Sequence, residues 1–165
     1  MQQTPASGVN GGATRRDFLK TAAAATAASS AAFIARNAHA AGSDVLRVGM
    51  IGSGPRCTGA AAEALTADPG ARVVAMCDMI PGRIQAKRER LKDQFKDRIA
   101  VDDDHCFTGF DGYKRVIEAS DVVLIANAAK FHPFHAMAAL QAGKHVFVEK
   151  PHGIDPAGIR LLRQA

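Results

Sequence analysis

The sequence predicts an α/β domain built on a doubly wound parallel sheet, and three observations carry that expectation. From Val45 onward, short apolar, β-branched runs alternate with helix-forming stretches. A Gly-Ser-Gly turn, Gly52 to Gly54, separates the first such run from the helix former behind it. An acidic residue, Asp78, closes the second run.

Taken in order, Val45 to Ile51 reads as a buried first strand, broken by Gly52-Ser53-Gly54-Pro55. Ala60 to Ala67 is a good helix former, closed by Asp68-Pro69-Gly70. Arg72 to Cys77 is a second strand ending in Asp78. Pro81 suits a first helical position, and Arg83 to Phe95 continues that helix with Ile84, Leu91 and Phe95 as apolar markers. Ile99 to Val101 reads as a short third strand running into Asp102-Asp103-Asp104. Those carboxylates read as a mobile acidic loop, because no ordered set of oxygen ligands recurs around them. Phe110 to Glu118 is a short helix with Tyr113, Val116 and Ile117 inward. Asp121 to Ile125 is a fourth strand, Phe134 to Ala142 a helix closed by Gly143, and Lys144 to Glu149 a fifth strand. Asp155-Pro156 caps and opens a helix through Ile159, Leu161 and Leu162, and the sequence ends inside it, as expected of a piece of a longer protein.

The 165 residues suffice for one well-buried domain, and 47% apolar content is globular. The net charge of +5 is unevenly spread. Arg15, Arg16, Lys20 and Arg36 against Asp17 place much of it before residue 41, leaving 17 basic and 15 acidic residues behind. That balance gives no basic face with interleaved aromatics, so nucleic acid is not an expected partner. Cys57, Cys77 and Cys106 show neither a C-x-x-C pair nor zinc-ligand spacing, and no metal is expected.

Residues 1–40 read as an address. Arg15-Arg16 followed by Phe18-Leu19-Lys20, an Ala-rich stretch and Ala38-His39-Ala40 resembles a twin-arginine export signal cleaved after Ala40. The alternative, a membrane-anchoring helix, has too little apolar area. Passage through the twin-arginine machinery implies a periplasmic or otherwise exported protein, folded before transport with any cofactor already bound. Such a cofactor is expected to be tightly retained.

Gly52-Ser53-Gly54 between strand and helix is where a dinucleotide fingerprint belongs. The first glycine permits the turn, and the second lets a pyrophosphate approach the amides of the helix N-terminus, opened here by Pro55 and Arg56. Cys57 stands where a third glycine is usual, and a small side chain there still permits helix–strand packing. Asp78 lies at the interval at which a carboxylate meets the adenosine ribose hydroxyls, which favours NAD over NADP, while Arg56 and Arg83 blur that preference. The alternative for a lone Gly-x-Gly is an ordinary tight turn. Strand, helix and acid in register make this a Rossmann-type reading.

Ala142 to Pro151, AGKHVFVEKP, is the most specific stretch. Together with the glycine turn and Asp78 it closely resembles the glucose-fructose oxidoreductase, inositol dehydrogenase and rhizopine catabolism (Gfo/Idh/MocA) family over about residues 45–165. The resemblance implies that Lys150, preceded by Glu149, lies beside the nicotinamide and contacts the reacting hydroxyl or carbonyl, with Pro151 holding the turn. It also implies a nucleotide loop at Asn127-Ala128, where relatives carry Thr-Pro, and a His at His132 on the nicotinamide side. His135 and His145 receive no role. The implied organisation is a leader over 1–40, a nucleotide-binding domain over 41–151, and over 152–165 the start of a crossover helix. A C-terminal α/β substrate domain, usually the oligomerising one, would follow. The expected activity is hydride transfer between nicotinamide and a sugar or polyol hydroxyl, with the 165-residue chain itself binding nucleotide without turnover. Two alternatives stay open: an NAD-dependent glycoside hydrolase of the same superfamily, and a non-catalytic nucleotide-binding protein.

Overall fold

In the computed structural model, which describes residues 45–164, the five short apolar runs pair side by side in parallel. They are β1 (Leu46–Ile51), β2 (Ala71–Asp78), β3 (Cys106–Thr108), β4 (Val122–Ile125) and β5 (His145–Val148). Their order is β3-β2-β1-β4-β5. All four neighbouring pairs are parallel. The chain therefore winds outward from β1 in one direction, then returns to β4 and winds in the other. The strand ends at the β1/β4 reversal open a crevice, the place where open parallel sheets bind ligands.

Each crossover carries a helix because parallel neighbours cannot be joined by a tight turn. These are α1 (Pro55–Ala67), α2 (Pro81–Phe95), α3 (Gly112–Ala119) and α4 (His132–Gln141), with α5 (Pro156–Leu162) after the last strand. One core lies beneath α1 and α2, where Val48, Met50 and Val73 meet Leu65, Ile84 and Leu91. A second lies beneath α3 and α4, where Ile51, Val123 and Ile125 meet Val116, Ile117 and Ala139. The sheet is thus buried on both faces, as its near-continuous apolar strands require. Gly49 marks the closest approach of α3, since a Cβ there would lie 2.6 Å from both Ser120 Oγ and Val116 Cγ1.

The structure departs from the sequence reading in four places. The third strand is Cys106–Thr108, paired with Met76–Asp78, and not Ile99–Val101. Ile99 makes only an isolated bridge to Val73. Ile99 and Val101 are buried in the α1/α2 core, so their alternation records burial rather than a strand ladder. The acidic segment is a pinned 3₁₀ turn over Asp103–His105, not a mobile loop. Asp102 accepts the His105 N–H at 2.9 Å, and Arg88 donates to Asp103 at 2.7 Å. Helix α1 starts at Pro55 rather than Ala60, and α4 at His132 rather than Phe134. In both, a proline in the first turn supplies a fixed φ and lacks an N–H that would have no partner there. The export signal expected over residues 1–40 lies outside the described residues.

Candidate functional site

The turn from β1 into α1 is shaped by two glycines with different surroundings. Gly52 has φ +95°, and a Cβ on it would lie 2.9 Å from Asn127 Cβ. Its N–H donates to Cys77 O at 2.8 Å, fastening β1 to β2 at the crevice. Gly54 is the N-cap of α1 in ordinary extended geometry (φ −75°, ψ 172°), and a Cβ there would meet nothing within 4 Å. Open space therefore lies over the second glycine at the positive end of a 13-residue helix, the arrangement that receives a phosphate. Cys57, at the usual third-glycine position, is fully buried with Sγ 3.7 Å from Leu124 O. Burial pushes its thiol up to about 12, so it is a packing residue between helix and sheet.

Asp78 closes β2 beside this turn. One carboxylate oxygen accepts the Ser53 N–H at 2.7 Å, the other the Ile80 N–H at 3.0 Å. Its side chain is 8% exposed, and Arg83 Nη1 lies 3.7 Å away. Of the two arginines that blurred the NAD preference, only Arg83 stands here. Arg56 reaches away from Asp78 to Glu149, at 2.6 Å.

Gly52, Gly54, Asp78, Asn127 and Ala128 come together around one cavity of about 540 Å³ at the ends of β1, β2 and β4. Met79, Ile80, Phe110, Tyr113, Phe131 and Phe134 supply much of its remaining wall. Apolar walls with a few convergent polar groups are the usual make-up of a cofactor site. Asn127 is the polar group of most consequence. Its Nδ2 pairs with His135 Nδ1 at 3.1 Å, while its Oδ1 is buried without a partner. An orphaned buried acceptor on a cavity wall fits a ligand carrying hydroxyl or amino donors. Ser53 Oγ, in the glycine turn, is likewise buried without a partner.

His135, to which the sequence reading gave no role, also lines this cavity. It stacks on Tyr113 at 4.4 Å and on Phe131 at 5.8 Å between centroids. Burial, helped by the nearby His132, lowers it to about 4, so the ring is neutral at ordinary pH. The bond drawn to the Asn127 amide then makes Nδ1 the acceptor. The available signal was compositional: four of the chain's nine Phe and Tyr residues (Phe110, Tyr113, Phe131, Phe134) flank β4 in sequence, two on each side.

Pro55, Arg56, His132, Glu149 and Lys150 do not line this cavity, and neither does the side of the turn formed by Ser53. Glu149 continues from β5, its N–H donating to Ile125 O at 2.8 Å. Lys150 is exposed, and the peptide joining it to Pro151 is cis. His132 is 2% exposed, with Nδ1 2.8 Å from Pro151 O and Nε2 3.1 Å from Asn127 O. This imidazole lies between two carbonyls, one on the Asn127 loop and one on the Lys150-Pro151 turn, and its N–H can donate to either. Among the described residues, no three His, Cys, Asp or Glu side chains group to hold a metal ion.

A family model described as an oxidoreductase family with an NAD-binding Rossmann fold, Gfo/Idh/MocA, matches residues 46–165. Curated relatives include a glycosyl hydrolase family 109 protein of Bacteroides fragilis, 37% identical over 111 residues. That match covers 66% of this chain and 23% of the relative. A family 109 protein of Phocaeicola vulgatus is 35% identical over 114 residues, covering 68% of this chain and 21% of the relative. The chain thus spans between a fifth and a quarter of the length of these relatives. Among solved structures, myo-inositol 2-dehydrogenase from Lactobacillus plantarum is 25% identical with a TM-score of 0.57, covering 73% of this chain and 32% of that one. A 3-ketoreductase from Actinomadura kijaniata, solved with NADP and TDP-benzene, is 26% identical with a TM-score of 0.51, covering 73% and 34%.

Proposed function

This chain belongs to the Gfo/Idh/MocA oxidoreductase family, and we propose that it is the nucleotide-binding part of an exported protein that moves hydride to or from a sugar or polyol carbon. The observation carrying this is the cavity over Gly54, bounded by Asp78 and by Asn127, whose amide oxygen is buried without a partner. Gly54 and the α1 N-terminus with Pro55 would receive the pyrophosphate, and Ser53 would present the turn to it. Asp78 would accept the adenosine ribose hydroxyls on the lone pairs left free by Ser53 and Ile80, with NAD preferred and Arg83 leaving room for NADP. Asn127 and Ala128 would contact the nucleotide from the β4 side. When bound, the nicotinamide supplies a carbon that accepts or donates hydride.

Lys150, one residue past Glu149 at the end of β5, would hold or move the proton on the reacting substrate oxygen. Its ammonium can polarise a carbonyl or stabilise a developing alkoxide. His132 would keep the Asn127 loop and the Pro151 turn at a fixed separation. The leader over residues 1–40 would deliver the folded protein through the twin-arginine machinery, probing a compartment without a soluble nucleotide pool. The nucleotide would therefore be retained rather than exchanged. Purified mature protein should carry stoichiometric NAD(H) by absorbance and mass spectrometry; finding none would refute retention.

The family 109 names of the curated relatives favour a second reading, an NAD-dependent glycoside hydrolase. The same residues serve it, because oxidation and re-reduction of one sugar carbon need the same cradle and the same lysine. The longer protein that contains this chain, a homo-oligomer on this reading, should be offered free sugars, polyols and aryl glycosides. Net NADH formation supports the oxidoreductase. Glycoside cleavage without net NADH establishes the hydrolase in its place.

A further inference from the structure

Lys150 stands between two residues that are each tied to a different part of the nucleotide cradle. On one side, Glu149 accepts a 2.6 Å hydrogen bond from Arg56 Nε. On the other, Pro151 O lies 2.8 Å from His132 Nδ1. Arg56 is the second residue of α1, two positions beyond Gly54. The Arg56–Glu149 pair thus runs from the helix over the glycine turn to the edge strand β5, which does not neighbour β1 in the sheet.

Exposed Arg–Glu pairs contribute little as a rule. This one differs in its surroundings. The Glu149 side chain is only 15% exposed, whereas that of Arg56 is 47% exposed. The guanidinium also lies 5.8 Å from the Phe147 ring centroid, so a β5 side chain backs it. Burial raises the Glu149 carboxyl, but the Lys150 backbone N–H and the Arg56 guanidinium bring it below the usual carboxylate range. Glu149 is therefore a standing anion, and without Arg56 it would be a mostly covered charge with its side-chain partner removed. An arginine this near a phosphate-binding turn has two available tasks: gripping the phosphate or holding a neighbour. Arg56 is held by Glu149, with Glu63 Oε2 3.8 Å from its Nη1, and leaves the space over Gly54 open.

Resting on the reading of Lys150 as the residue beside the nicotinamide, we propose that Arg56 is a positioning residue. Through Glu149 it sets where Lys150 stands relative to the glycine turn, and it does not itself bind the pyrophosphate.

The test compares NADH with ADP-ribose, which shares the adenosine and pyrophosphate and lacks the nicotinamide. After removal of any nucleotide carried through purification, titration calorimetry on the 165-residue chain would cover wild type, Arg56→Met, Glu149→Gln, the double variant, Arg56→Lys and Lys150→Ala. Arg56→Met should weaken NADH about fivefold while leaving ADP-ribose within about twofold. Glu149→Gln should do the same, and the double variant should be no worse than either single one. Arg56→Lys should restore part of the NADH affinity, and Arg56→Met should add nothing in a Lys150→Ala background. Unchanged ADP-ribose binding also reports that each variant has folded. Equal losses for both ligands would overturn the proposal in favour of a direct phosphate contact, and additive losses or no loss would also overturn it. Wild type binding neither ligand would instead refute the nucleotide site. Wild type binding both with Lys150→Ala silent would refute the placement of Lys150.

Discussion

At Gly52 a methyl group would sit 2.9 Å from Asn127 on a backbone with φ +95°, whereas at Gly54 it would project into open space. Gly52→Ala should therefore destabilise the fold by about 1–3 kcal/mol, read as a lower melting temperature. Gly54→Ala should leave stability within about 0.5 kcal/mol and still cost at least about tenfold in NAD affinity, because the added carbon would occupy the space proposed for the pyrophosphate. Equal melting losses in the two variants would contradict this division. His135 offers a second test at this scale. Its imidazole titrates at about 4 in the fold against 6.5 in the unfolded chain, so the unfolded state binds more protons between those values. Stability should fall as pH drops from about 6.5 to about 4, by on the order of 3 kcal/mol from this group. His135→Gln should flatten that part of the pH–stability curve. An unchanged curve would mean that the ring does not titrate as its surroundings dictate.

Among the elements, α1 and α3 do opposite things at the sheet. Helix α1 begins at the crevice, and its N-terminus is left open to a ligand. Helix α3 instead lies hard against β1 at Gly49, where any side chain would meet Ser120 and Val116 at 2.6 Å. Gly49→Ala should cost about 1–3 kcal/mol by overpacking, with no specific effect on nucleotide affinity once the folded fraction is accounted for. Chemical denaturation alongside NAD titration separates the two quantities. Helix α1 is closed at its far end from a distance, Arg98 donating to Leu65 O at 2.6 Å. The segment after α2 therefore also steadies the helix that bears the glycine turn.

For the whole domain, the two cores beneath α1/α2 and α3/α4 hold the sheet rigid while the crevice at its strand ends stays open. Binding there should raise stability by mass action alone. For protein freed of retained nucleotide, NAD at about 100 times its dissociation constant should add about 2.7 kcal/mol and raise the melting temperature measurably. ADP-ribose should do likewise at its own multiple, and adenine-free compounds such as nicotinamide mononucleotide should do far less. A melting temperature indifferent to NAD would argue against the cavity over Gly54 as a nucleotide site.

The sequence by itself determined the alternation of strands and helices, and with it the parallel sheet. It also placed Gly52, Gly54 and Asp78 at strand ends, because backbone permissiveness, apolar periodicity and spacing are local properties. It could not place β3, since Ile99 and Val101 carry strand-like alternation yet spend it on core burial, while Cys106–Thr108 wins the position beside β2. Nor could it show that Arg56 turns to Glu149 rather than towards Asp78, or that His132 sits between two carbonyls while His135 lines the cavity. Those pairings join residues from separate strand ends and helices, up to 93 positions apart. Only the tertiary structure decides them, because which side chains meet depends on the order in which the strands stack.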